Sequence, residues 1–545
     1  MNGKINIALA QINVVVGAVE ANVDRIIEFA ERARDQLNAD LMVCSELVLT
    51  GYPPEDLLLR PGFIVRVEQQ LQRLCEFVSG IDLIVGYPKK TDAGLFNVCA
   101  LIENGRITQE YKKIKLPNYS VFDEKRYFVA GNQPCVISYK DIVLGLTVCE
   151  DIWHTGPVEA AVADGAELII NINGSPYHSN KIPERSKVVC ERASMVQTPV
   201  IYVNQVGGQD ELVFDGASFA TDKKGEVIHQ MESFAEGLSS VAVKVDETGI
   251  SISGTQMIAE PSFHASVYSA LVLGVRDYVI KNGFSSVVIG LSGGIDSAIT
   301  TTIAVDALGA SNVDVIMMPF RYTSDISKDD AHAQAQALGI KYHVISIEPM
   351  YDAFIQQLKP IFEGRDEDTT EENIQARCRG LTLMAFSNKT GSMVLTTGNK
   401  SEMSVGYATL YGDMVGGFNA IKDLPKTLVY ELATYRNTVS AVIPERVITR
   451  APSAELRPDQ VDQDSLPPYD VLDPILELYI EQDCPPKDIV AQGYAADVVA
   501  QVIRMVDRNE YKRRQSAPGV RISKRAFGRD RRYPITSGYR PKIEW

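Results

Sequence analysis
The sequence predicts an α/β protein built as two layered halves, and three observations lead there. Strand-like apolar runs alternate with helix-spaced stretches along most of the 545 residues. A polar stretch broken by Gly and Pro, DETGISISGTQMIAEPS at 246–262, interrupts that alternation without any helical period. Beyond it, an apolar run ends in a glycine loop that opens directly into a helix. The division that follows is 1–250 for the first domain, 251–262 for a linker and 263–545 for the second.

In the first half, residues 4–11 and 40–45 read as strands around a helix at 17–38. A helix at 61–79 precedes the strand Leu83 to Gly86, and strands follow at 96–103, 107–111, 134–139 and 142–148. A helix near 156–163, a strand from Leu168 to Asn171, a helix at 179–196 and a strand from Val200 to Asn204 come next, with strands to about 245. Such alternation makes a layered domain whose helices lie outside its sheets.

The second half opens on an entry helix marked by Leu271, Val275, Tyr278 and Val279. Val287, Val288 and Ile289 form a buried strand, and Ile299, Ile303, Ala307 and Leu308 share one side of the helix after the loop. Val313 to Met317, a helix at 326–338 and His343 to Ile347 continue the alternation. A helix opened by TEENIQARCRG (370–380), the strand, loop and helix of SMVLTTGNKSEMSVGYATLYGDM, and a helix from Lys426 complete it. This is a doubly wound parallel sheet, whose ligands belong at the carboxyl ends of its strands.

Composition narrows the function classes. The formal net charge of −16 argues against a chain that mainly coats nucleic acid, although thirteen Lys and Arg crowd between Arg504 and Lys542. No apolar run approaches the roughly 20 residues that span a bilayer, and the first residues read as a strand rather than a secretory signal. Eight cysteines without a CxxC pair argue against a zinc ribbon, an iron–sulfur site and a disulfide framework, so a reducing, cytoplasmic setting is expected.

Two places carry chemistry on their residue types alone. At the glycine loop, Gly290 to Ser297 offers unencumbered backbone N–H groups and the positive end of a helix, which suits a phosphate or pyrophosphate. It is not a Walker A loop, since no Gly-Lys-Ser/Thr follows. Glu402 stands where a strand end meets a helix start and could share a hard cation with Asp296, while Lys426 offers a point charge for phosphates. In the first half Glu46, Lys113 and Cys149 each end a strand. A lone Cys there is usually structural, but the three together form a triad: the carboxylate takes the thiol proton and the ammonium steadies an oxyanion.

Family likeness sharpens both. SELVLTGYPPEDLL, YKKIKLPNYSVFDEKRYF and VCEDIW resemble the nitrilases, which implies an αββα sandwich with Cys149 as nucleophile, Glu46 as base and Lys113 as oxyanion support. The same likeness makes Glu124 a second glutamate that orients Lys113, and NINGSPYHSNKIPER, with Tyr119, makes Tyr119, Ser175 and Lys181 the grip on glutamine. SGGIDS resembles the ATP pyrophosphatases. Together with ENIQARCRG, PSAELRPDQVDQDSLPPYDVLD and YKRRQSAPG, it resembles the glutamine-dependent NAD synthetase family from near residue 1 to about 520.

That likeness implies ATP contacts at Gly290, Leu291, Ser292, Gly293, Gly294, Ile295, Asp296, Ser297, Thr397 and Lys426. It implies deamido-NAD contacts at Asn373, Glu402 and Lys512, and Mg²⁺ on Asp296 and Glu402, with Glu402 open between metal and dinucleotide. Leu410 departs from the polar residue expected there, and 455–473 reads as either a cover over the site or a linker. The family further implies ammonia passed between two sites and a homo-oligomer paired at least through the synthetase halves. The rivals are another amidating enzyme of the GMP or asparagine synthetase kind, a tRNA-modifying enzyme on the same loop, and a first half that is an inactive scaffold.

Overall fold
A computed structural model describes residues 3–246, 249–458 and 460–539 and divides the chain into two compact units, the second beginning at Phe263. Arg540 and Lys542 of the basic stretch, and Asp459 of the 455–473 stretch, lie outside the described residues.

The first unit carries two main sheets. One has seven strands in the order Gly249–Gly254, Gly237–Asp246, Gly3–Gln11, Leu41–Val43, Asp82–Thr91, Gly94–Glu103 and Arg106–Lys112. The other has six, in the order Val227–Gln230, Phe219–Thr221, Val200–Asn204, Leu168–Asn173, Ile142–Val148 and Val136–Tyr139. Successive side chains on a strand point to opposite faces. Ile5, Ile7 and Leu9 therefore meet Leu144, Leu146, Val148 and Ile170 of the other sheet in one core, while Ala8 and Ala10 face the helices Val19–Leu37 and Pro61–Phe77. Ile169, Val200 and Tyr202 on the far side of the second sheet pack with Val158, Ala161, Val189 and Ala193 of two further helices. Helix, sheet, sheet, helix is an αββα sandwich, as the nitrilase likeness implied.

The expected linker needs correction at its start. Residues 249–254, GISISG, form an edge strand that pairs antiparallel with the strand before it. Ile250 and Ile252 alternate with exposed serines there, a period of two that the surrounding polar residues obscure.

In the second unit five parallel strands stand in the order Lys341–Val344, Val313–Met317, Val287–Gly290, Met393–Thr396 and Phe418–Asn419. The chain enters at the middle strand, winds outward to one side, then returns to the other. The order reverses between Val287–Gly290 and Met393–Thr396, and at such a switch a crevice opens beyond the carboxyl ends of the strands. The strand expected at His343–Ile347 lies earlier, because Ile347 is instead a buried lead-in to the helix Glu348–Leu358. The 455–473 stretch holds a short turn at Asp462–Asp464 and the start of the helix Tyr469–Leu476.

Candidate active sites
In the first unit, strand ends deliver the reactive groups. Glu46 follows Leu41–Val43, Lys113 follows Arg106–Lys112, and Cys149 follows Ile142–Val148. Glu46 and Lys113 are fully buried, and Cys149 and Glu124 nearly so. Lys113 Nζ donates to Glu46 Oε1 at 2.7 Å and to Glu124 Oε1 at 2.8 Å. Burial favours the neutral amine, but Glu124 and Glu46 outweigh it and hold Lys113 as an ammonium. Burial first, and Glu46 second, raise the Cys149 thiol well above its ordinary value, with Lys113 opposing, so the resting sulfur keeps its proton.

Several residues that motif reading passed over hold this arrangement. Asn97 donates to Glu46 Oε1 at 2.7 Å and the Gly174 N–H to Glu46 Oε2 at 2.9 Å, so each oxygen of the base has a fixed donor. Tyr52 donates to Glu124 Oε1 at 2.8 Å. Asp151 accepts from the Val148 N–H and the Tyr111 hydroxyl on one oxygen, and from the Ile114 and Lys115 N–H groups on the other. It thereby ties the turn of Cys149 to the segment that carries Lys113. Cys149 itself has a positive φ of 44°, a left-handed turn unusual for a side chain with a Cβ.

Of the expected glutamine contacts, Ser175 is buried and its N–H donates to Asn204 Oδ1. Tyr119 donates to the carboxylate of Glu150, the buried neighbour of Cys149. His154 also reaches Glu150, at 2.9 Å, and half of its side chain is exposed. The Lys181 ammonium lies 3.9 Å from the centre of the Trp153 ring.

In the second unit a cavity of about 290 Å³ sits at the switch between strands. Gly290 to Ser297, Thr397, Glu402 and Lys426 line it. Gly293 has φ +83°, and a Cβ there would come within 2.2 Å of the Ser327 carbonyl, so only glycine fits. Ser292 and Ser297 bond to each other at 3.0 Å, and Ser292 Oγ accepts the Gly294 N–H, which folds the loop around its own backbone donors.

Lys426 is nearly sealed, with its ammonium bonded to Asp296 Oδ2 and 3.1 Å from Glu402 Oε1. Asn399 donates to Asp296 Oδ1 at 2.9 Å while capping the helix Lys400–Val405 by accepting the Glu402 N–H. One asparagine thus registers both carboxylates. Asp473 accepts the Thr427 N–H and hydroxyl and the Ser401 hydroxyl, and Ser401 accepts the Lys426 N–H. These bonds satisfy the first turn of the helix Lys426–Val439 and aim its leading lysine.

Asn373 and Lys512 do not line the cavity. Asn373 accepts from Thr409, and Lys512 donates to the Gly406 and Ala408 carbonyls at 2.9 and 3.0 Å. Both bond to the loop 406–409, of which Tyr407 and Ala408 line the cavity. Residues 450–456 and Asp462 add a second wall, and Glu455 accepts from Ser324, Ser327 and Arg450. In the basic stretch Arg521 pairs with Asp530, Arg525 with Asp483, and Arg531 with Glu510, so these cations are committed internally.

Among the described residues no cluster of three or more His, Cys, Asp or Glu could hold a metal ion by itself. The donor chemistry of Asp296 and Glu402 still fits magnesium, which takes one or two carboxylates and completes its shell with phosphate oxygens and water.

Comparison with known proteins matches each unit to a family. Carbon–nitrogen hydrolase matches residues 6–250 and NAD synthase matches residues 267–516. The chain is 49% identical over 539 residues to a glutamine-dependent NAD(+) synthetase of Xanthomonas campestris pv. campestris (strain 8004), covering 98% of each. It is likewise 49% identical over 540 residues to that of Acinetobacter baylyi, covering 98% of this chain and 99% of the relative. A solved glutamine-dependent NAD+ synthetase from Acinetobacter baumannii, in complex with adenosine diphosphate, superposes with a TM-score of 0.80 at 45% identity, over 99% of this chain and 100% of that one.

Fold and site together define an enzyme that joins a carbon–nitrogen hydrolase unit to an NAD synthase unit. The chain belongs to the family of glutamine-dependent NAD(+) synthetases.

Proposed function
We propose that the two sites perform the two halves of one amidation: deamido-NAD, ATP, glutamine and water give NAD, AMP, pyrophosphate and glutamate. The buried cluster of Lys113 bonded to both Glu46 and Glu124, with Cys149 among their charges, carries this reading. A neutral thiol beside a carboxylate and a fixed ammonium is arranged for attack on an amide.

In the first unit Glu46 takes the Cys149 proton as sulfur bonds to the γ-amide carbon of glutamine. Lys113 faces the negative charge that gathers on the amide oxygen. The proton passes to the leaving nitrogen, ammonia departs, and a thioester remains. Water, losing a proton to Glu46, then breaks the thioester to glutamate and restores the thiol. Glu124 fixes Lys113, and Tyr119, Ser175 and Lys181 hold the amino-acid end, with the Glu150 carboxylate placed for its ammonium.

In the second unit the loop Gly290–Ser297 binds the ATP phosphates, with Thr397 and Lys426, and the dinucleotide lies against Glu402 and the wall braced by Asn373 and Lys512. The carboxylate of deamido-NAD bonds to the α-phosphorus and pyrophosphate leaves. A carboxylate is a poor electrophile, whereas its mixed anhydride with AMP accepts ammonia and releases AMP. Asp296 and Glu402 would hold magnesium, which would neutralise charge on the ATP phosphates. The enzyme works in the cytoplasm as a homo-oligomer paired through its second unit; no helix among the described residues is long and apolar enough to cross a membrane.

The test supplies ATP and deamido-NAD with either glutamine or ammonia and measures NAD, AMP and pyrophosphate. Cys149→Ala should lose glutamine-driven NAD formation by about 10⁵-fold or more, as removal of a nucleophile does, and keep ammonia-driven formation within about twofold. Loss of both, or of neither, contradicts the division of labour.

A further inference from the structure
We propose that Trp153 is a positioning residue that makes the first unit selective for amides bearing a carboxylate, by holding the Lys181 ammonium on its ring face where that carboxylate will dock. The inference rests on the reading of Lys181 as a glutamine contact and extends it to a residue that reading does not include.

Lys181 and Arg185 stand one turn apart on the helix Lys181–Val196, yet they are treated differently. Arg185 is sealed in and neutralised, bonded to Asp215 Oδ2 at 2.5 Å and to the Gly216 carbonyl. Lys181 is half-buried, and among the described residues its ammonium has neither a hydrogen bond nor an ion pair. The Trp153 ring lies under it.

A desolvated cation beside a second cation needs a counter-charge or an aromatic face, and the indole is the strongest such face. Burial and Arg185 accordingly push Lys181 down to about 8, against the opposite pull of Glu184, Cys149 and Asp215. The ring's own position is fixed. Trp153 follows the turn Cys149–Ile152 and packs against the cluster of Ile152, Val158 and Val189. The same short segment therefore places the nucleophile and the base-plate of the unpaired ammonium. An anionic group entering beside Cys149 finds a cation that feels Glu184 and Asp215 but, among the described residues, is bonded to neither, whereas a neutral amide gains nothing from it.

The experiment compares hydrolysis of glutamine with that of 4-aminobutanamide, which is glutamine without its carboxylate. Trp153→Leu is expected to lower the preference for glutamine, as a ratio of kcat/KM values, about tenfold, and Trp153→Phe to restore it to within about threefold of the native ratio. An unchanged ratio in Trp153→Leu overturns the proposal, because a merely structural loss would lower both substrates alike. Lys181→Met separates the two ideas. If it leaves the ratio unchanged, the reading of Lys181 itself is wrong; if it lowers the ratio and Trp153→Leu does not, only the role of Trp153 falls.

A binding measurement in the native fold covers a variant that does not fold. The chain has two tryptophans, so Trp545→Phe in the Cys149→Ala background leaves Trp153 as the sole tryptophan, which can be excited selectively over tyrosine. Its fluorescence should change saturably with glutamine and not with 4-aminobutanamide. Equal responses, or none to glutamine, count against the proposal.

Discussion
Both units contain a buried lysine bonded to two carboxylates, and the difference between the two constellations separates a finished catalyst from a receptor awaiting its ligands. Around Lys113 the partners Glu46 and Glu124 have side chains 0% and 5% exposed, with further donors from Asn97, Tyr52 and Gly174. Around Lys426 the partners Asp296 and Glu402 have side chains 18% and 17% exposed and face an open cavity. In the first case the charges are already bonded to one another and sealed from water before any substrate arrives. In the second, the residues that bond one another in the free protein are the same ones proposed to meet ATP, magnesium and dinucleotide. Bound ligands must therefore redistribute those bonds.

The harshest way to break this comparison is Asp296→Ala. With Asp296 contributing to the nucleotide site, NAD formation should fall by about 10³-fold with glutamine and with ammonia alike. Substantial turnover with either nitrogen source would remove Asp296 from the phosphate and metal site.

Glu124→Gln tests the other side. It leaves shape intact but takes a charge from the Lys113 cluster, so glutamine-driven synthesis should fall by about 10²-fold while ammonia-driven synthesis stays within about twofold. A loss shared equally by both assays would show that the change acts beyond the first unit.

Stability sharpens the same contrast. Lys113→Met strands two sealed carboxylates, which should destabilise the first unit by about 3–5 kcal/mol in denaturant unfolding. Lys426→Met leaves carboxylates that are 17–18% exposed at the cavity, so in nucleotide-free protein the loss should be smaller than that of Lys113→Met. Equal losses would deny that one site is closed and the other open.

Residues read from local words were legible because strand ends and glycine loops have local signatures. Glu46, Lys113 and Cys149 converge, and Gly290 to Ser297, Thr397, Glu402 and Lys426 share one cavity. What stayed hidden acts across elements. Asn97 bonds to a base 51 residues away, and Asn399 reaches Asp296 across 103. Asn, Ser and Asp at such positions look like ordinary loop polarity until the fold brings their partners up. Asn373 and Lys512 have such partners too: Asn373 accepts from Thr409, and Lys512 donates to the Gly406 and Ala408 carbonyls more than a hundred residues away. The strand at 249–254 was missed for a different reason: an edge strand buries little, so serine outvotes isoleucine in its pattern.

The gentlest perturbation is pH. The groups that act on Lys181 are Arg185, Glu184, Cys149 and Asp215, and with burial they leave it near 8. Below that value the ammonium is charged and can bind a carboxylate; above it the charge is lost. Since kcat/KM reports the free enzyme, its value for glutamine should decline above about pH 8 in the native chain. Lys181→Arg keeps a cation throughout that range, so its decline should begin at least about one pH unit later, even if its peak value is lower. Glutamine's own ammonium titrates identically in both proteins, so the difference between the two curves belongs to Lys181. Superimposable curves would mean that the unpaired cation over Trp153 does not face the substrate, and the first site would then recognise glutamine by its amide and ammonium alone.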